Sequence, residues 1–304
     1  MKNRFFVQIA FIPLIFALSS CGAFGAYSLL FGEEDVESRY SSFTDKSCDA
    51  LKPENLASLG LTKYSGILIA DPHFGSSETR HEDTFYEWLK NYYDTADATK
   101  KPRFLVCLGD TADSGKKGQY EDFNSFAAKV KEIAKEKLSL SSTDEFPVYN
   151  VLGNHDLYDT DGWKHYKELI YPYTSTYFFT VGKFRFYTID TGSGSLGEDQ
   201  LKDFEKLLAA DPSPKAVLTH YPIYAGGILV FAIHDTYERN RILTACAKHN
   251  VKQIFEGHQH TPNDYTDFGS FQEHIIGSFL YNRKCSIITL DESTNSITHT
   301  RLDY

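Results

Sequence analysis

The stretch Arg103-Phe104-Leu105-Val106-Cys107-Leu108-Gly109-Asp110-Thr111-Ala112-Asp113 runs from five apolar residues into a glycine and two carboxylates. Such a run has the length and composition of a buried strand, and the glycine marks where the chain turns out of it. Four other places in the chain repeat the arrangement. Gly66 to Ala70 precedes Asp71-Pro72-His73, and Phe146 to Leu152 leads into Gly153-Asn154-His155-Asp156. Ala216 to Thr219 ends at His220, followed by Tyr221-Pro222, and Val251 to Phe255 comes before Gly257-His258-Gln259-His260. The polar residues therefore emerge at strand ends, where α/β proteins keep their chemistry.

Helical patterns fill the intervals. Glu82 to Tyr93, Gln119 to Leu138 and Asp161 to Leu169 follow the first three motifs, an alternation that implies βαβ units. Thr176 to Thr180 and Lys183 to Asp190 flank Val181-Gly182 and predict a hairpin. Helices are predicted over Leu196 to Ala210, with Pro212 beyond its end, and over Asp235 to His249. The tail from Arg283 to Arg301 alternates apolar and polar residues around Glu292 to Ser296 and predicts a second hairpin. The expected fold is α/β, two packed mixed β-sheets flanked by helices.

With 304 residues, 41% hydrophobic and 15% aromatic, the chain can bury a sizeable core. Its first twenty residues stand apart: Lys2 and Arg4 precede an apolar run from Phe5 to Leu18, which is short for a bilayer span and has the layout of an export signal. Leu18-Ser19-Ser20-Cys21 resembles a bacterial lipobox, in which the cysteine becomes a lipidated N-terminus. The alternative is an ordinary signal cleaved after Ala23 or Gly25. The coincidence of charge, apolar run and cysteine favours the first. The expected organisation is a leader at 1–20, a tether and lead-in at 21–60, and one catalytic domain at 61–304. The protein would be exported and anchored to a bacterial membrane through Cys21, facing the periplasm or the cell surface.

Cys48, Cys107, Cys246 and Cys285 match no metal-binding spacing and are expected as small core residues; a disulfide involving Cys48 stays open. The net charge of −10 and the lack of Arg clusters exclude a general nucleic-acid surface. The Lys-rich segment Lys129 to Lys137 has helical spacing and is read as a solvated helix face.

Taken singly, a strand-end Asp or His is more often a turn or capping residue. Five such motifs converging from strand ends supply the carboxylate, imidazole and amide groups that a pair of divalent cations requires. On these motifs the chain resembles the calcineurin-like metallophosphoesterases, from about Leu61 to the C-terminus. The resemblance implies an αββα sandwich in which Asp71, His73 and His260 hold one metal, Asn154, His220 and His258 hold a second, and Asp110 bridges both. It implies that His155 orients the phosphate or protonates the leaving oxygen, with Asp156 holding its imidazole, while Asp113 supports the Asp110 loop. Asp113 and Asp156 as plain turn residues remain the alternative. Glu256 is read as a supporting or simply exposed neighbour of the last motif.

The chemistry implied is hydrolysis by a metal-activated hydroxide, with two divalent transition-metal ions drawn from Mn, Fe, Zn, Co or Ni, since imidazole and carboxylate ligands do not select among them. Protein Ser/Thr phosphatases of the superfamily carry Arg after the second Asp of the second motif and Glu in the third. Here Ser114 and Asp156 stand at those positions, so the pattern is closer to the cyclic-nucleotide and related phosphodiesterases, and a small-molecule or nucleotide-like phosphoester is the expected substrate. A phosphomonoesterase is the alternative, as is a non-catalytic surface lipoprotein, although no ligand position is missing. The apolar segment Tyr221 to His234, with the pair Gly226-Gly227, is read either as a lid or lining of the substrate pocket, or as a buried connection. Trp163 and His165 are expected either near the leaving group or packed in their own helix.

Overall fold

The computed structural model describes residues 36–140, 146–260 and 265–304. The leader, Cys21 and the first part of the tether lie outside the described residues. The described residues form twelve strands. β1 is Thr44–Asp45, β2 Lys63–Ile69, β3 Pro102–Cys107, β4 Val148–Asn150, β5 Tyr177–Val181 and β6 Phe184–Thr188. β7 is Lys215–Leu218, β8 Val251–Glu256, β9 Tyr265–Asp267, β10 Gln272–Ile275, β11 Lys284–Asp291 and β12 Ser296–Asp303. Five longer helices are α1 (Glu82–Thr95), α2 (Lys117–Leu138), α3 (Gly162–Leu169), α4 (Glu198–Ala210) and α5 (Thr236–Lys248). Among the described residues no helix is long and apolar enough to cross a membrane.

The strands form two mixed sheets, one in the order β12-β11-β2-β3-β4 and one in the order β1-β5-β6-β7-β8-β10-β9. In the first sheet β2, β3 and β4 are parallel, and β11 runs antiparallel to β2. In the second, β6, β7, β8 and β10 are parallel neighbours. Parallel strands place all their C-terminal ends on one side, which is why motifs distant in sequence can meet.

Strand alternation sorts the apolar residues into layers. From β2, Tyr64 and Leu68 face the second sheet and pack with Phe104, Val106, Phe179, Phe186, Leu218 and Phe255. Ile67 and Ile69 face the other way, onto Phe85 and Leu89 of α1 and Phe123, Phe126 and Val130 of α2. The outer face of the second sheet, with Val217 and Ile254, is covered by Leu201 and Phe204 of α4 and Ile242 of α5. The architecture is thus helix, sheet, sheet, helix. Close approach between the sheets and within them leaves no room at Gly66, where a Cβ would fall 2.3 Å from the Phe104 ring.

The lead-in is joined to this body. Val36–Arg39 forms one helical turn, and the buried Arg39 guanidinium pairs with Asp190 at 3.0 Å. β1 pairs with β5, while Leu51 and Leu56 enter the layer between the sheets. Cys107, Cys246 and Cys285 are buried and free, and Cys48 is half-buried.

His274 on β10 and His299 on β12 lie 4.7 Å apart between ring centroids, with His274 Nε2 against Gln253 Oε1 at 2.7 Å and His299 Nε2 against Ser286 Oγ at 2.8 Å. Burial, then the Arg301 charge, lowers His274 to about 4. Burial, then the charges of His274 and Arg301, lowers His299 to about 3. Unfolded histidines titrate near 6.5, so below that pH the unfolded chain binds protons the fold excludes. Stability contributed by the neutral rings is therefore complete above pH 6.5 and declines as pH falls toward 4. Chemical denaturation between pH 7 and 4 should show this loss, of order 3 kcal/mol from His274, and His274→Gln should flatten it. An unchanged slope in that variant would rule out the assignment.

Candidate dinuclear metal centre

The five motifs meet at the C-terminal ends of β2, β3, β4, β7 and β8. The chain continues strand-like pairing past the sheet: Asp71 N–H donates to the Gly109 carbonyl at 3.2 Å, His73 N–H to the Asp110 carbonyl at 3.0 Å and Phe74 N–H to the Thr111 carbonyl at 3.0 Å. Gly257 N–H donates to the His220 carbonyl at 3.1 Å, and His258 N–H to Asp71 Oδ1 at 3.0 Å, which ties the second sheet to the first.

Three donor sets result: His73, Asp113 and His155 form one, and the other two share Asp110. Asp71, His73, Asp110 and His260 each offer an atom within 4.8 Å of the others, and so do Asp110, His220 and His258. Asp110 belongs to both: its Oδ2 lies 3.7 Å from His73 Nε2 and its Oδ1 lies 3.3 Å from His220 Nε2. Asn154 Oδ1 joins the set of His220 and His258, 3.0 Å from both His220 Nε2 and His258 Nδ1.

The backbone is strained where the ligand candidates sit. Asp71, His73, Asp110, His258 and His260 all have positive φ, between 42° and 65°, a conformation costing non-glycine residues on the order of 1 kcal/mol each. Two glycines make the approach geometrically feasible. A Cβ at Gly109 (φ 92°) would sit 2.3 Å from His220 Nδ1, and one at Gly153 would lie 2.1 Å from the Asp110 amide nitrogen.

Hydrogen bonds fix which imidazole atoms face the centre. His220 Nδ1 lies 2.9 Å from the Leu108 carbonyl. A carbonyl only accepts, so Nδ1 carries the proton and Nε2 is left for a cation. His155 Nδ1 likewise donates to the Asp113 carbonyl at 2.8 Å, while the His155 N–H donates to Asp110 Oδ1 at 2.8 Å. Burial alone would raise the Asp110 carboxyl, but the charge and hydrogen bond of His220, with His155 and His73 behind them, outweigh it and hold Asp110 well below the usual range. His220 is opposed by burial and raised to about 9 by Asp110.

The residues fit a pair of cations. Asp71 Oδ2 is buried without a hydrogen-bond partner among the described residues, and His73 and His260 turn their Nε2 atoms toward each other at 3.2 Å. At most one proton can lie between those nitrogens, so the remaining lone pairs converge where a cation would satisfy them. The family profile described as calcineurin-like phosphoesterase matches residues 67–262.

The chain belongs to the calcineurin-like phosphoesterase family.

It is accordingly a metal-dependent phosphoester hydrolase, and members of this family use two divalent metal ions. No curated relative matches this phosphoesterase in sequence. Among solved structures it is similar to a dimetal phosphatase from Danio rerio, at 12% identity over 78% of this chain and 98% of that one, with a TM-score of 0.49. It is also similar to the 5'-nucleotidase from Candida albicans SC5314, at 14% identity and a TM-score of 0.49 over 79% of this chain. That match spans about half (52%) of the nucleotidase.

One expectation about the phosphoesterase's site changes, and two open alternatives are decided. Asp156 does not hold the His155 ring. Its buried carboxylate accepts the N–H groups of Ala112 and Gly153 at 2.9 Å and of Thr111 at 3.3 Å, so it clamps the second motif to the third. Burial first, then the Asp110 charge, raises it to about 7. The partner of His155 is instead the Asp113 main chain. Glu256 is not exposed: it is fully buried and accepts the Ile223 N–H at 3.0 Å. Trp163 packs on Tyr166 within α3, and His165 Nδ1 reaches the Gly115 carbonyl at 3.2 Å, away from the donor sets.

Several contributors went unread in the sequence. Tyr158 lies 4.3 Å from the His155 ring and accepts a hydrogen bond from Asn154 Nδ2 at 2.8 Å, which turns Asn154 Oδ1 toward His220 and His258. Tyr281 stacks on His260 at 5.0 Å, Ser278 Oγ donates to the Asp71 carbonyl, and Arg80 Nη1 donates to the carbonyls of Pro72 and His73. Only the i+4 spacing of Tyr158 from Asn154 could have pointed to one of them. Tyr158→Phe keeps the ring on His155 and removes the acceptor for Asn154. Calorimetric titration with Mn should show about tenfold weaker binding of one ion and unchanged binding of the other; two unchanged affinities would remove Tyr158 from the account.

Proposed function

We propose that this phosphoesterase hydrolyses phosphodiesters of small or nucleotide-like substrates ahead of monoesters. The observation that carries the hydrolytic site is the double membership of Asp110, one carboxylate oxygen facing each of the two donor sets that share it. Asp71, His73 and His260 would hold one ion, Asn154, His220 and His258 the other, with Asp110 between them. When bound, the pair supplies the Lewis acidity that makes water a nucleophile near neutral pH and neutralises phosphoryl charge.

The chain's own residues supply the rest. His155 has its Nδ1 proton fixed on the Asp113 carbonyl, which leaves Nε2 as the atom that hands a proton to the departing oxygen when the ring is charged. The neighbouring rings of Tyr158 and His73, 4.3 and 4.5 Å away, limit its rotation. Asp156 acts through the backbone, keeping Asp110 and Asn154 in register. The preference for diesters rests on Ser114 and Asp156 in the second and third motifs. The leader pattern ending at Cys21 supports export and lipid anchoring.

Metal-stripped protein should be assayed on matched chromogenic mono- and diesters with and without Mn, beside Asn154→Ala. Turnover should require the metal, be greater with the diester, and fall on the order of 100-fold in the variant. Equal turnover without metal would contradict the proposal, and a higher kcat/KM on the monoester would reverse the ester assignment.

A further inference from the structure

The loop after His220 is built unlike the rest of the surface. Acidic and basic residues make up 24% of the chain, yet none occurs from Tyr221 to Phe231 or on to Ile233, and from Ala225 to Ile233 there is no polar side chain at all. The base of the loop is closed. Ile233 N–H donates to the Pro222 carbonyl at 2.8 Å, and His234 N–H to the Gly194 carbonyl at 2.9 Å. Its incoming limb is held by buried carboxylates, Glu256 accepting from Ile223 and Glu273 accepting from Tyr224 at 2.6 Å. Ile223, Ala225, Ala232 and Ile233 are fully buried, whereas Ile228, Leu229 and Phe231 are 49%, 45% and 41% exposed. Gly226 and Gly227, both at positive φ, turn the chain between the two groups. The loop is therefore neither a buried connection nor a closed lid. It is an anchored finger with an apolar tip.

The finger belongs to the mouth of the metal centre. Tyr221 at its start stacks on His258 at 3.8 Å, and the seven residues from there to Ile228 reach at most about 25 Å. Tyr158 and Tyr281, both about half exposed (48% and 47%), stand beside His155 and His260. The same flank receives the N-terminal segment. Glu37 accepts the Glu198 N–H at 2.7 Å, Arg39 binds Asp190 and Ser193, and Gly194 of that loop carries His234. From Cys21 to Val36 the chain can extend at most about 50 Å, so a lipid on Cys21 would keep this flank close to the bilayer.

We infer that the Tyr221–His234 loop inserts its Ile228, Leu229 and Phe231 tip into the head-group region of a phospholipid bilayer, presenting the metal centre to phosphoesters displayed at that surface. A tip without polar side chains asks no side-chain hydrogen bond of what it meets, which suits a bilayer better than a protein surface with its polar rim. Phe231 and the partly exposed Tyr224 of the same loop are aromatic types that settle at the membrane interface. The substrate half of this inference rests on the phosphoesterase reading; the insertion half does not.

The test uses the full chain reconstituted in vesicles of phosphatidylethanolamine and phosphatidylglycerol. In F231W the added indole should be quenched by lipids brominated high on the acyl chain, well beyond the quenching of Trp88 and Trp163 in the parent. Quenching equal to the parent overturns insertion, and self-association of the parent that is lost in I228S/L229S/F231S would assign the tip to a second copy instead. That triple variant should lose about tenfold or more in kcat/KM on an acylated phosphodiester in the vesicles while keeping its rate on a soluble chromogenic ester. An equal loss on both esters, or on neither, rejects the substrate half. A parent that hydrolyses neither ester refutes the phosphoesterase reading, and the quenching result still decides the finger.

Discussion

Everything near the metal centre is arranged around one buried carboxylate. Asp110 is 1% exposed, and a charge at that depth is tolerated only if its surroundings compensate it. The compensation is built from both sheets: His73 on the Oδ2 side, His220 and the His155 N–H on the Oδ1 side. The left-handed backbone of Asp71, His73, Asp110, His258 and His260 and the missing side chains of Gly109 and Gly153 are consequences of bringing so many polar groups to one carboxylate. Strain of that kind persists only where packing overdetermines it. Here the packing is the layer between the sheets.

Both donor sets that share Asp110 draw on both sheets. Asp71, His73, Asp110 and Asn154 follow strands of the five-stranded sheet, while His220, His258 and His260 follow β7 and β8 of the other. The centre therefore assembles only when the sheets have packed, and ions that bind it favour the packed state by mass action. Asp156 extends the same logic by fastening the second motif to the third through backbone N–H groups, and Arg80 and Ser278 fasten the first motif by its carbonyls.

Where periodicity and turn residues were strong, the sequence was legible. The predicted helix over Gln119 to Leu138 is α2, Lys117–Leu138, and both hairpins pair as their Gly182 and Glu292-to-Ser296 turns require. Strands β1, β9 and β10 were not legible, because runs of two to four residues carry too little pattern. The motif order brought the seven metal-ligand candidates to one place. It could not reveal Tyr158 and Tyr281, whose roles come from ring positions and not from spacing, and it misread Asp156, whose neighbour in sequence, His155, points elsewhere. Adjacent residues in a turn leave it in different directions, so the imidazole found a carbonyl and the carboxylate found three amides.

The central claim is that Asp110 bridges two cations, and electron paramagnetic resonance of the Mn-loaded protein tests it most directly. The account predicts two ions per chain with the signature of an exchange-coupled pair, and loss of that coupling in Asp110→Asn. Two magnetically independent ions, a single ion, or coupling that survives in Asp110→Asn would contradict it.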